Sequence, residues 1–302
     1  MVRLLNREEA KKNVEEHFKD QNKLLSDLTE YGSNLILRAI DSSKRELHDI
    51  IICGVLLKQV VSMLSAVQSL IEAGLIHAAF LPARAAFEAS IYSDWIMFSD
   101  SKRKALCYIV SDLRNQRLWS LRSIKGTPEE VIFDPIPKSI GLDIHNEPNL
   151  SIDAKRALLE INKILGLPDF KEIDEEFEQR KGKRKNDLQW YELVGAQSIR
   201  QIANAVGRIA EYETFYAKGS KISHSASFKD HIRFGKDIVT FKTIHHLEGI
   251  DMVFSFIFGV AFQSFQNILR HYRPDELPRF SDKYVKEWRK PYRSIKSVEY
   301  TL

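Results

Sequence analysis

Apolar residues recur every three or four positions along most of this chain, which is the period of an α-helix. The pattern predicts helices from Asn6 to about Ala39, Leu47 to Ala73, Leu75 to Phe98 and about Ser101 to Ser123. Gly74 separates the second helix from the third, so we expect an antiparallel helical hairpin with a tight connection. Pro82 lies early in the third helix and predicts a kink or a delayed start there.

The middle of the chain interrupts the helical period. Four prolines and two glycines between Lys125 and Leu150 predict a loop excursion. Short helices are expected after it, at residues 151–165 and 169–179.

The helical pattern returns at residues 188–218 and 246–272, and residues 228–243 between them fit either a loop or a short irregular hairpin. These elements predict an all-α protein, a helical bundle with long antiparallel helices, a proline-rich loop excursion and a charged exposed tip. The predicted divisions are an N-terminal helical extension (1–44), a helical-bundle domain (45–272, with 124–186 as a loop and short-helix insertion) and a basic, aromatic C-terminal tail (273–302).

The charged tip combines an acidic stretch at residues 172–176 with a basic run shortly after it. Opposite charge blocks this close together are typical of a solvated hairpin-like tip. A contact with nucleic acid is the alternative interpretation of the basic residues, which are Arg180, Lys181, Lys183, Arg184 and Lys185.

Composition fits a soluble protein of the cytoplasm. The chain has 302 residues, 44% of them hydrophobic, and a net charge of +4 that permits nucleic-acid contact without requiring it. The N-terminus carries no secretory signal, and the longest apolar run, near residues 252–262, has about half the length of a membrane span, so no membrane partner is expected. Cys53 and Cys107 are expected to be free thiols, and no zinc or other metal site is predicted.

The first candidate site is a polar stripe near the end of the 188–218 helix. Tyr212, Tyr216, Ser220 and His224 recur every four residues, so they share one slowly winding face if the helix continues through Gly219. A core histidine satisfied by a neighbouring group is the structural alternative for His224. If Gly219 ends the helix, the stripe is broken there.

The second candidate site lies on the predicted 75–98 helix. Arg84 and Glu88 are four residues apart among apolar neighbours, and His77 shares their face. The pair is either an ion pair that fixes the packing of the hairpin or a guanidinium held by Glu88 and presented to a phosphate or carboxylate.

Sequence templates of common enzymes are missing. There is no G-x-S-x-G elbow, no H-E-x-x-H sequence and no glycine-rich phosphate loop, so no cofactor is expected. The adjacent pair His245 and His246 points in directions about 100° apart on a helix, which disfavours joint metal ligation.

These residues resemble a family of helical, mostly bacterial proteins, domain of unknown function 5677. The resemblance covers roughly residues 45–230 and rests on LPARAAFEASIYSDWI and on a second pattern made of Trp190, Ala203, Tyr212, Tyr216, Ser220 and His224. That family is distantly similar to HEPN-type bundles, many of which are metal-independent ribonucleases of toxin and phage-defence systems that work as homodimers. The Arg-x(4–6)-His signature usual in HEPN proteins does not occur here, so Arg84 and His224 would have to converge from separate helices.

Two functions therefore remain open. In a ribonuclease, the resemblance implies that His224 acts as acid and base and that Arg84, held by Glu88, stabilises the phosphate. Tyr212, Tyr216, Ser220 and His77 would then position RNA, with the basic run along its backbone. The alternative is a non-catalytic helical module that binds a nucleotide-like ligand or a protein partner, and in a third interpretation both constellations are purely structural.

Overall fold

A computed structural model describes residues 4–41, 47–143, 149–184, 187–235 and 238–298, and most of these residues are helical. The helices are, in chain order, α1 (Arg7–His17), α2 (Lys19–Asp41), α3 (Leu47–Glu72), α4 (Ile76–Phe98), α5 (Ser101–Arg122), α6 (Pro128–Phe133), α7 (Pro135–Lys138), α8 (Leu150–Leu165), α9 (Pro168–Lys181), α10 (Ile199–Ala205), α11 (Ile209–Glu211), α12 (Ala217–Ser223), α13 (Ile250–Tyr272), α14 (Leu277–Lys283) and α15 (Arg289–Arg293). The described β-structure consists of a two-stranded hairpin and an isolated parallel bridge between Leu75 and His246. The predicted all-α class is confirmed.

By compactness the chain divides into two units. The first contains Met1–Ser99 and Ile199–Leu302, and the second contains Asp100–Ser198. These divisions do not coincide with the boundaries expected at residues 44 and 272, which rest on composition.

The α3–α4 hairpin is the centre of the first unit and begins and ends within two residues of its predicted limits. Gly74 makes the tight connection with a φ of +70°, and a Cβ atom there would lie 2.5 Å from the Cβ of Ala10. Only glycine meets both conditions. α4 continues through Pro82 instead of starting after it.

α13 completes the core by packing against α2, α3 and α4. Its buried aromatic side chains are Phe254, Phe258, Phe265 and Tyr272. By length and composition alone, Asp49–Glu72 and Ile250–Tyr272 could each cross a membrane, but 56% of each apolar window is buried inside the fold. Helices at the centre of a bundle need this hydrophobicity for packing.

The prediction of a single helix over residues 188–218 is wrong. The chain forms a short 3₁₀ turn at Trp190–Glu192, then α10, then a separate helical stretch from residue 209. Gly195 and Gly207, with φ of +93° and +75°, lie in the two interruptions. The apolar period survives such breaks, which explains why the pattern looked continuous.

The C-terminal segment, expected to be a proline-broken tail, is helical through α14, a π-helical turn at Tyr284–Trp288 and α15. Trp288 is buried and packs against the rings of Tyr31, Phe262 and Phe280. Trp288 and Phe280 of this segment therefore belong to the core of the first unit.

The second unit is built on α5, which packs against α6, α8 and α9. The helices expected at 151–165 and 169–179 are confirmed as α8 and α9. The acidic stretch lies within α9, where Asp174 binds the buried Arg114 of α5 and Glu176 binds Arg103. Arg114 also binds Glu178 and Asp187. The described basic residues that follow α9 are exposed.

The expected thiols are confirmed: Cys53 and Cys107 are free and buried, and burial raises the pKa of each to about 11. Neither cysteine is a ready nucleophile, because the thiolate is the reactive form.

The segment left open between loop and hairpin forms an antiparallel hairpin, β1 (Ile232–Phe234) and β2 (Val239–Phe241). Ile232 pairs with Phe241, Arg233 with Thr240 and Phe234 with Val239. Residues 242–246 then return to the α3–α4 connection, where the backbone N–H of His246 donates to the carbonyl of Gly74.

Candidate functional site

The polar stripe lies on a helix that packs closely against α4. α11, a π-helical turn at Tyr212–Tyr216 and α12 follow one another without a break, so the helix does continue through Gly219. A Cβ atom on Gly219 would lie 3.0 Å from Arg84 Cβ and 3.3 Å from the Phe80 carbonyl oxygen. This glycine therefore lets the two helices approach to backbone contact.

Arg84 and Glu88 do not pair directly, because Tyr216 lies between them. Arg84 Nη2 donates to the Tyr216 hydroxyl at 2.9 Å, and that hydroxyl donates to Glu88 Oε2 at 3.0 Å. Tyr92 donates to the other Glu88 oxygen at 3.2 Å. Burial, reinforced by the Glu88 charge, raises the pKa of Tyr216 to about 12, so its hydroxyl stays protonated. The predicted role of Glu88 as the direct holder of Arg84 is wrong.

The Arg84 guanidinium also lies over the Tyr216 ring, 4.5 Å from its centroid, and the Tyr212 ring stacks on Tyr216 at 4.7 Å. Arg84 Nε is buried and has no hydrogen-bond partner in the described chain. The guanidinium thus holds Tyr216 through one hydrogen bond and one ring contact, which is the geometry of a structural clamp.

His224 lies away from this clamp. It caps the C-terminal end of α12 and is exposed, and Ser225 after it has a φ of +52°. Eight residues separate it from Tyr216, about 12 Å along the helix axis. Ser220 lies between them and is half-buried. The convergence of Arg84 and His224 expected from the sequence is not found within the described chain.

His77 lies in a pocket of about 180 Å³ at the N-terminus of α4, which we call the histidine pocket. It is lined by Leu75, His77, Ala78, Asp230, His231, Lys242, Thr243, Ile244 and His246. The His77 and His231 rings meet edge to face at 4.7 Å. The fold therefore brings Asp230 and His231 to His77 and away from Arg84.

His246 is the polar residue of this pocket that lacks a partner. Its side chain is 9% exposed, and its Nδ1 atom is buried with no hydrogen bond to any described residue. His245 next to it is satisfied, because its Nδ1 lies 2.6 Å from the Ala73 carbonyl oxygen. A buried ring nitrogen without a partner costs about 1–3 kcal/mol.

Two further donors face the same region. No acceptor within the described chain contacts the backbone N–H groups of His77 and Ala78, in the first turn of α4. Lys242 adds a positive charge and is bound by Glu248 at 2.6 Å. Burial, with a smaller effect from neighbouring cations, lowers the pKa of His77 and His246, so both imidazoles are neutral at pH 7.

The predicted basic run belongs to the second unit. Arg180 pairs with Glu176 at 2.7 Å and Arg184 with Glu192 at 3.1 Å, whereas Lys183 is exposed. Lys181 is half-buried and lines a groove of about 870 Å³ in the same unit. Lys185 lies outside the described residues.

Two important residues escaped the sequence analysis. The buried Arg208 binds Glu211 through two hydrogen bonds of 2.7 and 2.8 Å and reaches Ser90 and Asp94 of α4. For His246 the sequence pattern predicts only that it does not share a metal ion with His245. The described residues contain no group of three or more metal-ligating side chains in reach of one ion.

Comparison with known proteins agrees with the resemblance. A family model described as a family of unknown function (DUF5677) matches residues 48–237, more than half of the chain. A search of curated proteins and a search of solved structures found no match. The matched span includes α3, α4 and the whole Arg84–Tyr216–Glu88 clamp but ends before residues 242–246 of the histidine pocket. The chain belongs to the DUF5677 family.

Proposed function

We propose that this protein is a helical module that binds a small phosphate-bearing ligand of the nucleotide type in the histidine pocket. The observation that carries the proposal is the buried, unpartnered Nδ1 of His246 in the wall of an open pocket. A buried polar atom without a partner lowers the stability of the fold, and a bound ligand would supply the missing hydrogen bond.

The chemistry of the pocket favours an anionic group. The free N–H groups of His77 and Ala78 stand at the N-terminus of a 23-residue helix, where backbone donors and the helix dipole attract phosphate. His77 and His246 can each donate a hydrogen bond as neutral rings and more strongly once protonated. The volume, room for about six water molecules, suits a phosphate with part of the group attached to it.

The ribonuclease hypothesis has less support. Its best observation is the exposed His224 imidazole, for which no partner is found in the described chain. Tyr216, which the Arg84 guanidinium contacts, lies about 12 Å along the helix axis from His224. Homodimer formation, a role in phage defence and a location in the cytoplasm stay predictions.

Calorimetric titration with adenosine monophosphate, inorganic phosphate and adenosine tests the proposal. We expect the two phosphate-bearing compounds to bind and adenosine to bind at least ten-fold more weakly. His246→Phe replaces the imidazole by a somewhat larger aromatic ring and removes both nitrogens. It should weaken phosphate binding at least ten-fold and leave the apo protein as stable as before or more stable, since an unsatisfied buried nitrogen is gone.

His224→Phe is the matched control, because it changes an exposed imidazole in the same unit. It should alter neither binding nor stability, and an RNA cleavage assay on it addresses the ribonuclease alternative. A wild-type protein that binds none of the three compounds, or a His246→Phe variant that binds phosphate normally, would rule out the proposed pocket.

A further inference from the structure

Residues 217–242 form one of the positively charged stretches of this chain. Residues 217–242 contain six lysines and arginines against two aspartates, a surplus equal to the net charge of +4 of the entire chain. A local surplus of this kind produces a patch that attracts polyanions.

The hairpin within this stretch exposes aromatic side chains on one face. Residues paired across the ladder share a face, so Ile232, Phe234, Val239 and Phe241 lie on the same side. Phe234 is 59% exposed and Phe241 is 71% exposed. They occupy diagonal positions, which on an antiparallel pair are about 7–8 Å apart. Phe228, just before the hairpin, is 64% exposed.

Lysines accompany these rings. Lys218, Lys221 and Lys229 line an open pocket of about 410 Å³, together with Phe228. Lys221 and Lys229 are exposed, and no carboxylate within the described part of the chain lies in ion-pair distance of either. Glu213, which borders the same pocket, is already bound by Arg200.

We propose that residues 217–235 and 238–242 form a binding surface for single-stranded nucleic acid. Bases stack on Phe234 and Phe241, and the phosphates lie along Lys221 and Lys229. Exposed aromatic rings interleaved with unpaired cations are the arrangement that single strands require, because every base has a flat face and every linkage a charge.

Charge favours this partner over the other candidates for an exposed apolar face. A protein partner that covers the hairpin gives no reason for the local surplus of lysines. A membrane surface is the other candidate, and sedimentation with vesicles distinguishes it from a nucleic-acid strand. The proposal is independent of the histidine pocket, since none of the four contact residues lines that pocket.

The test is fluorescence anisotropy with labelled oligouridine and oligodeoxythymidine of about 12 nucleotides. The Phe234→Ser/Phe241→Ser variant should raise Kd at least ten-fold for the oligomer that binds. Lys221→Gln/Lys229→Gln should reduce the slope of log Kd against log salt by about 1.4, the value for two lost phosphate contacts with a single strand. All four positions are exposed, so the fold should persist, which circular dichroism checks.

Matched controls are Phe98→Ser, an equally exposed phenylalanine of the same unit, and Lys11→Gln/Lys19→Gln on the exposed faces of α1 and α2. Both controls should bind like the wild type. Equal weakening in test and control variants would overturn the proposal, as would wild-type protein that fails to bind either oligomer. So would wild-type protein that sediments with vesicles of phosphatidylcholine and phosphatidylserine but ignores the oligomers. Normal strand binding by His246→Phe would support two separate sites.

Discussion

Replacing Gly219 by alanine tests whether the close approach of α12 to α4 is as tight as the structure has it. Gly219 lies in a regular part of α12, so alanine should improve helix propensity by about 1 kcal/mol. The new Cβ would, however, meet Arg84 Cβ at 3.0 Å, Arg84 Cδ at 3.2 Å and the Phe80 carbonyl at 3.3 Å. Two of these atoms are fixed to the α4 backbone and cannot turn away.

Overpacking of this kind costs about 1–3 kcal/mol, because α12 has to move off α4. The net effect of Gly219→Ala is then a loss of about 1 kcal/mol, with the Arg84–Tyr216 contact loosened. Gly259 is the matched control: it lies in the middle of α13, and an added Cβ would meet nothing within 4 Å. Gly259→Ala should stabilise by about 0.5–1 kcal/mol.

Urea unfolding followed by far-ultraviolet circular dichroism measures both variants, with the midpoint compared at an unchanged slope. We expect the two midpoints to move in opposite directions from the wild type. If Gly219→Ala stabilises the protein as much as Gly259→Ala does, the helices are further apart than we describe, and the clamp loses its structural basis.

Three further predictions concern the polar groups of the first unit. Tyr216→Phe removes the hydroxyl between Arg84 and Glu88 and should lower the free energy of unfolding in urea by about 2 kcal/mol. An unchanged free energy of unfolding would contradict the clamp. Arg208→Met removes the cationic partner of the buried Asp94 carboxylate and should lower the free energy of unfolding by about 3–5 kcal/mol in the same assay. A loss below about 1 kcal/mol would contradict the burial of this ion pair. Because burial lowers the pKa of His246 below its ordinary 6.5, the unfolded chain takes up a proton there that the folded chain does not. Thermal stability should therefore fall as pH drops below about 6.5, and it should fall more steeply in the wild type than in His246→Phe. Parallel curves of stability against pH for the two proteins would exclude His246 as the cause.

Local features of the fold could be predicted from the sequence. The α3–α4 hairpin followed from an apolar run, a glycine and a second apolar run. Each of these signals is local, because it depends only on one helix or on its end. Arg84 and Glu88 share a face because their spacing is four residues, and this too is local. The Tyr216 hydroxyl between them depends on a helix 128 residues further along the chain, and no periodicity encodes that contact.

The histidine pocket shows the same limit more clearly. Its walls come from the start of α4 and from residues 230–231 and 242–246, which meet only because His246 donates to Gly74 and Ile244 to Leu4 through the backbone. A single exposed or buried histidine has no sequence signature of its own. The positive φ angles of Gly195 and Gly207 likewise break a helix that apolar spacing alone made continuous.

The position of α13 has a practical consequence for anyone who trims this protein. A fragment limited to the family match, residues 48–237, lacks α13, whose phenylalanines fill the space between α2, α3 and α4. It also lacks α2, so large apolar surfaces of the α3–α4 pair would be exposed to water. Such a fragment should precipitate on expression, whereas the smallest soluble version has to retain both helices.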